Sequence, residues 1–512
     1  MSFKFHAVLT GVCVALALVG VMLPAAASDP GPYAFAAERP SDSLKAFDIQ
    51  ARQWALYESL HRDGGALGTE HLHSVAFTQD DMVLMESAGA CGTCAGGRLT
   101  IAGVNKNLGL VVDFNELQLK SLSDGPLTAF GGRTRITADG RFVWTCAVSS
   151  PGADALRIHF TNFHLPPNLE MLVYTDAGEV FGPYVGDGIM DAQEFWSNTV
   201  SGGKAFIEVR SFEPVTTQEL DAAHFDISEI AHMILEPVVS ALKQALPSCT
   251  EDASCFDAND WSVIDTVARA VGLMFFDVDD PNVQGICTGG LLTDQAQTFT
   301  PYFLSANHCL DTQAAANSLE VVWQHQTQQC NQGFSPEASL AGLPRSLGAT
   351  LLATAETSDF TFLQLKQDPP QNSVYLGWDA SDFSKATGTA TFRLHHPRGA
   401  PQSFSRAVIK VISPGASCLN PQPFENWIFS DETIGGTVGG SSGSPVCLES
   451  GQVIGQLFGQ CFPASFPEPP LCTTDITTAD GSLHATFPSI SDFLQNTNTA
   501  PALQLVPASQ MA

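Results

Sequence analysis

Gly439-Gly440-Ser441-Ser442-Gly443-Ser444-Pro445 is the stretch on which the reading turns. A serine among glycines and small residues leaves room for two backbone N–H groups, those of Gly440 and Ser442, to converge on one oxyanion. Upstream lie two further patterns. Tyr302-Phe-Leu-Ser-Ala-Asn-His308-Cys309 is an apolar strand running into a histidine, and Thr357-Ser-Asp359-Phe-Thr-Phe-Leu-Gln-Leu365 is an aspartate heading an alternating strand. A hydroxyl is a weak nucleophile until a base takes its proton, and the base needs a carboxylate to fix its tautomer and stabilise its cation. His308, Asp359 and Ser442 are the residue types that chemistry requires, in that order along the chain.

The order also decides between folds. Gly439-Gly-Ser441-Ser-Gly443 fits the G-x-S-x-G elbow of the α/β-hydrolases, in which Asp and His follow the nucleophile. Asp475 or Asp480 with His484 could fill those places only if the intervening strands and helices fitted into about 40 residues, which they cannot. HExxH is absent, which argues against a zinc protease, and neither metal nor cofactor is expected.

Outside these motifs the chain of 512 residues is acidic, with 53 Asp and Glu against 23 Lys and Arg and a net charge of −30. Nucleic acid and anionic membrane are therefore not expected partners, since both need clustered basic residues. At the start, Lys4, the apolar run Ala7–Leu23 and Ala25-Ala-Ala27 read as a signal peptide over 1–27, giving a secreted protein without a membrane anchor after its removal. Thirteen cysteines fit an oxidising compartment; Cys13 leaves with the signal and twelve remain. Cys91-Gly-Thr-Cys94 reads as a structural bridge in a Gly-rich loop rather than a redox or zinc motif, because no second pair accompanies it.

Residues 28–125 form an N-terminal pro-region of mixed texture, with a helix expected over Phe47–Leu60. From 126 to 215 short alternating strands (Arg141–Cys146, Ala155–Phe160, Glu170–Tyr174, Gly203–Val209) read as a β-sandwich. Thr216-Thr-Gln-Glu219 is a capping box, and Leu220, Ile227, Ile230 and Ile234 follow at helical spacings, so 216–243 is expected to be a helical connector. Residues 244–497 return to short strands with frequent Gly and Pro, which suits a pair of packed β-barrels closed by a helix near Ser489–Leu494. Residues 498–512 read as a tail. The fold class is thus mostly β, a double-barrel domain preceded by a β-sandwich pro-region.

The segment from Cys249 to about Leu494 resembles the trypsin-like serine endopeptidases, and most closely their bacterial lysyl endopeptidase branch. Ser305-Ala-Asn-His308-Cys309, Asp359-Phe-Thr-Phe-Leu and Gly440-Ser-Ser442-Gly-Ser-Pro445 carry the resemblance, with Arg269-Ala-Val-Gly272, Cys287-Thr-Gly-Gly-Leu-Leu292, Gly377-Trp-Asp379 and His395-His-Pro397. The resemblance implies a chymotrypsin-like fold, His308 as general base, Asp359 as its orienter, Ser442 as nucleophile, and protein or peptide substrates. It also implies that Cys255 pairs with Cys330, and Cys249 with a cysteine near the C-terminus, for which Cys461 and Cys472 compete. A Cys287–Cys309 bridge would close the loop beneath the base, and Cys418 with Cys447 is an added possible pair. Asp480 would sit at the base of the primary specificity pocket and pair with a substrate Lys, with Asp475 as its rival. Leu457, Phe458 and Gly459 would form the strand on which the substrate backbone lies.

Two departures stand out. Ser441 occupies the place where animal zymogens have the Asp that receives a freed N-terminus, so activation is expected to rest on removal of a pro-region that inhibits or chaperones the protease domain. Val438 stands where the lysyl branch has a Glu, which loosens selectivity for Lys over other residues. Between Arg210 and Arg269 the one Lys or Arg is Lys243, so self-cleavage between Lys243 and Gln244 is the expected maturation step. The alternative classes are a non-catalytic secreted β-domain binding protein and a serine protease of different side-chain preference.

Overall fold

A computed structural model describes residues 33–39, 55–62, 67–89, 99–117, 125–235, 246–278, 282–335, 339–412, 424–461 and 477–496. The expected signal peptide, the Cys91–Cys94 loop, Lys243, Gln244, Cys418, Cys472, Asp475 and the tail lie outside them. No helix among the described residues is long and apolar enough to cross a membrane.

The chain is mostly β. Strands Val271–Val278, Val283–Leu292, Tyr302–Ala306, Glu320–Trp323, Arg345–Leu347 with Ala349–Ala355, and Phe360–Leu365 pair antiparallel in a closed ring, the first barrel. Strands Ala390–His395, Ser403–Lys410, Trp427–Ile434, Pro445–Leu448, Val453–Cys461 and Thr477–Ser482 close a second. Closure leaves no free sheet edge, and the inward residues of each ring make its core. Met274, Phe303, Val321 and Leu363 fill the first; Ile409, Ile428, Val446 and Ile454 cluster in the second. Helix Leu483–Leu494 buries Leu483, Ile490 and Leu494, so the terminal helix exists and begins earlier than expected. Within the expected helix Phe47–Leu60, residues 55–59 are helical and 47–54 lie outside the description.

The β-sandwich is present but wider than residues 126–215. One sheet holds Leu127–Ala129, Gly132–Ile136, Phe142–Ser149, Lys204–Ser211, Leu169–Tyr174 and Val180–Tyr184. The facing sheet is built on Ala155–His164, His224–Met233 and Thr100–Asp113, and an aromatic core of Phe114, Phe142, Trp144, Phe160, Phe163 and Phe225 lies between them.

The helical connector over 216–243 is corrected. Its capping box forms, with the Thr216 side chain accepting from Glu219 N–H and the Glu219 side chain accepting from Thr216 N–H, but the helix is only Thr217–Ala222. Ile227 and Ile230 belong to strand His224–Met233. Against strand Ala155–His164, a register shift between Ile227 and Glu229 inserts one extra residue, so two buried isoleucines fall three apart. A β-bulge thus imitates helical spacing.

The sandwich and the first barrel share one sheet: Val104 pairs with Val283, Gly103 with Gln284 and Ile101 with Gly285. Buried polar groups lock the junction. Arg157 donates to Gln284 Oε1 at 2.8 Å and to the Ser318 carbonyl at 2.6 Å, and Glu320 accepts from Asn198 Nδ2 at 2.9 Å, Thr199 N–H at 3.0 Å and Arg345 Nη1 at 3.3 Å. Burial raises the Glu320 pKa, but the charges of Arg345 and Arg157 and its hydrogen bonds outweigh it and hold the carboxyl below its usual value. Farther upstream, Tyr33–Ala34 pairs with Trp378–Asp379 and Ala37–Glu38 with Val374–Tyr375, which holds residues 33–38 along the segment Val374–Asp379.

Candidate active site

His308 and Asp359 sit at the ends of paired strands of the first barrel. Ala306 lies opposite Phe360, so the residues just beyond them meet, and Asn307 N–H donates to the Asp359 carbonyl at 3.0 Å. Asp359 adopts a left-handed conformation (φ 49°) at the end of a short 3₁₀ turn, which Asp tolerates better than most residues. Its Oδ2 lies 2.8 Å from His308 Nδ1, and its Oδ1 accepts His308 N–H at 2.9 Å. Both side chains are nearly enclosed, at 11% and 4% exposure. From the second barrel, Gln456 donates to the carbonyls of Ser358 and Asp359 at 2.7 and 3.1 Å, fixing the aspartate across the cleft. The Cys287–Cys309 bridge closes beside His308, and Cys255–Cys330 forms as well. Cys287, His308 and Cys309 bring potential metal-ligating atoms together, yet both sulfurs are spent in the bridge, so this is no metal site. Cys249 and Cys461 are disulfide-bonded. Cys447 is a buried free thiol, which removes the Cys418–Cys447 pair; burial pushes its pKa up to about 12.

Ser442 lies in the loop before Pro445–Leu448 and is 7% exposed. Its carbonyl accepts from Thr288 N–H at 2.9 Å, which holds the second-barrel loop against a first-barrel strand next to the Cys287–Cys309 bridge. Two glycines are forced here. A Cβ on Gly443 (φ 80°) would lie 2.2 Å from Ser305 Oγ, and one on Gly440 (φ 91°) would lie 2.7 Å from Arg398 N and from the His396 carbonyl. Ser442 Oγ makes no hydrogen bond within 3.5 Å among the described residues. Such contacts are commonly long without substrate and tighten in the complex. The arrangement offers a histidine whose tautomer an enclosed carboxylate fixes, and a serine on a loop tied to the strand that carries Cys287, the bridge partner of Cys309.

Phe458 and Gly459 lie on strand Val453–Cys461; the Phe458 ring stands edge-on to His308 at 5.6 Å and to Trp427 at 5.0 Å. Asp480 is opposite Leu457 in register, but its carboxylate is not free. Arg393 Nη2 lies 3.2 Å from Asp480 Oδ2, and both side chains are buried. Burial pushes Asp480 up to about 6 despite that arginine, and pushes the neighbouring Glu432 up to about 7 against Arg393 and bonds from Thr437. Arg393 Nη1, Glu432 Oε2 and Asp480 Oδ1 have no hydrogen-bond partner among the described residues. Arg393 and Glu432 escaped the sequence reading because nothing local distinguishes an arginine or glutamate in an alternating strand; only barrel closure brings them to Asp480.

Glu432 gives a pH-dependent stability. A carboxyl raised from 4.5 to about 7 stabilises the fold fully below its unfolded pKa, and the contribution is lost as pH climbs through the folded value. Between about pH 4.5 and 7 this costs about 3 kcal/mol, at roughly 1.4 kcal/mol per pKa unit. Thermal unfolding followed across that range should show Tm falling with pH, and Glu432→Gln should flatten this part of the profile.

Residues 245–465 match the family model described as Lysyl endopeptidase, C-terminal domain. A lysyl endopeptidase of Pseudomonas aeruginosa is 26% identical over 279 residues, covering 54% of this chain and 60% of that protein. Among solved structures, an HtrA-type protease with a tripeptide has a TM-score of 0.31 and 12% identity over 46% of this chain and 63% of its own. A protease from M. tuberculosis, described as the active form, has a TM-score of 0.31 and 16% identity over 46% of this chain and 86% of its own. The second half of the chain, which carries His308, Asp359 and Ser442, is thus similar to the lysyl endopeptidase C-terminal domain over residues 245–465.

Proposed function

We propose that the protein is a secreted serine endopeptidase that cleaves peptide bonds through an acyl-enzyme on Ser442, with His308 as general base and acid and Asp359 as the group that orients it. The observation that carries this reading is the two-point hold of Asp359 on His308, through Nδ1 and the backbone N–H, at 2.8 and 2.9 Å. That hold leaves Nε2 to take the Ser442 proton and return it to the leaving amine. The N–H groups of Gly440 and Ser442 receive the oxyanion.

On the substrate side, the reading is cleavage after Lys or Arg. Asp480 and Glu432 together outnumber Arg393, so this group, whose buried Asp480 lies opposite Leu457, is short of one positive charge when both carboxyls are ionised. The Arg393–Asp480 pair favours a second reading, in which that charge is already satisfied and the preferred residue is uncharged. Profiling with a peptide library separates them: Lys and Arg should be favoured over Leu and Phe by at least about tenfold, roughly the discrimination that 1.4 kcal/mol supplies. Faster turnover of Leu or Phe would select the second reading.

Maturation is read as cleavage between Lys243 and Gln244 in an exported pre-pro-protein. The shared sheet and the buried Arg157 and Glu320 network support an N-terminal region that stays bound after this cut rather than leaving as a spent inhibitor. Breaking such a network strands buried charges, and restoring the pairing surface needs the same partner. After a single cut placed at 243, the two fragments should co-elute on size exclusion as one species. Separation without denaturant would show that the region is released.

A further inference from the structure

The loop that bears Ser442 is held in an unusual way. Its five carbonyls from Val438 to Ser442 are all engaged. Val438 C=O accepts from Ser441 N–H at 2.9 Å, Gly439 C=O from Arg398 N–H at 2.8 Å and Gly440 C=O from Thr288 Oγ at 2.8 Å. Ser441 C=O accepts from Ser444 N–H at 3.1 Å and Ser442 C=O from Thr288 N–H at 2.9 Å. By contrast the N–H groups of Gly439, Gly440 and Ser442 donate to no protein acceptor among the described residues. In a trans peptide the C=O and N–H point opposite ways. Fixing the Gly439 carbonyl on Arg398 therefore turns the Gly440 N–H away from Arg398, free to receive an oxyanion.

Arg398, which holds the Gly439 carbonyl, belongs to the segment His395-His396-Pro397-Arg398 at the end of strand Ala390–His395, and this segment also contacts Ser441 and Thr288. Ser441 Oγ lies 2.8 Å from His395 Nδ1, and both side chains are fully buried. Ser441 Oγ also accepts Val438 N–H at 3.2 Å, which ties the hydroxyl to its own loop as well as to His395. His396 N–H donates to Thr288 Oγ at 3.0 Å, which orients that hydroxyl toward Gly440. Arg398 is held in the left-handed region (φ 53°), uncommon for a residue with a side chain, and this turns its N–H to Gly439.

We propose that this segment organises the oxyanion hole, with His395 as a positioning residue that acts through Ser441 and takes the place of an ion pair to a freed N-terminus. This rests on Ser442 being the nucleophile and goes beyond it. A neutral, fully buried histidine–serine contact assembles the hole as the chain folds, before any peptide bond is cut.

Ser441→Ala deletes one hydroxyl, and His395→Ala deletes the group it contacts. Each should lower kcat about tenfold to a hundredfold with KM little changed, a smaller loss than removal of a hole donor outright. A peptidyl aldehyde provides the distinguishing readout. Ser442 Oγ bonds to its carbonyl carbon, the serine proton passes to His308, and the carbonyl oxygen becomes the oxyanion. Its inhibition constant should rise by the same factor as kcat falls, and the double variant should lose no more than the worse single one. If Ser441→Ala binds the aldehyde as tightly as the parent and keeps its kcat while only Tm falls, the contact is structural and the proposal is overturned. That arm holds even if His395→Ala does not fold. Failure of the parent to react with the aldehyde would instead refute the serine-protease reading.

Discussion

Ser442→Ala should lower kcat for a peptide amide by about 10⁴-fold or more, with Tm unchanged. A triad member acts as one unit with its partners, and its removal leaves only the catalysis that binding and the oxyanion hole supply. The fold should not suffer, because the loop is held through carbonyls and through Ser441 rather than through the Ser442 hydroxyl. Steady-state kinetics on the purified variant check this. A fall of less than about tenfold, far short of what loss of a triad member costs, would mean that Ser442 is not the nucleophile.

Asp359→Asn is the second large effect, with kcat expected to fall by about 10⁴-fold and KM to stay within a few-fold. Asp359 accepts two hydrogen bonds from the same residue, one at each carboxylate oxygen. An amide has one acceptor oxygen and one donor nitrogen, so it must abandon either the His308 backbone N–H or the ring Nδ1–H. Keeping the backbone bond presents N–H to Nδ1 and inverts the tautomer, which puts the proton on Nε2 where the base needs a lone pair. An activity loss explained entirely by a fallen Tm would make Asp359 a scaffold residue instead.

The strands were legible wherever alternation was local: Ala155–Phe160 and Glu170–Tyr174 fall in observed strands, and Arg141–Cys146 and Gly203–Val209 do so from their second residue onward. Local spacing misled at Ile227 and Ile230, because a bulge relative to Ala155–His164 shifted the inward face by one residue. The His308–Asp359 pair was legible because both residues terminate strands that pair directly, and the Ser442 loop because Gly440 and Gly443 mark positions where a side chain would collide. The environment of Asp480 was not legible. Arg393 and Glu432 lie on two other strands, and their approach depends on ring closure rather than on any motif. For the same reason His395-His-Pro397 was visible as a motif while its contact with Ser441, 46 residues away, was not. The extension of the sandwich sheet into the first barrel was likewise hidden, since nothing local in Thr100–Asp113 or Val283–Leu292 names the other as its partner.

The central claim is that Ser442 is a nucleophile activated by His308. A fluorophosphonate probe forms a covalent bond to such a serine, and mass spectrometry of the digested protein locates it. The account predicts labelling of Ser442 alone in the folded protein, lost on unfolding and lost in His308→Ala. Labelling of Ser441 instead of Ser442, or no labelling of the folded protein, would contradict it.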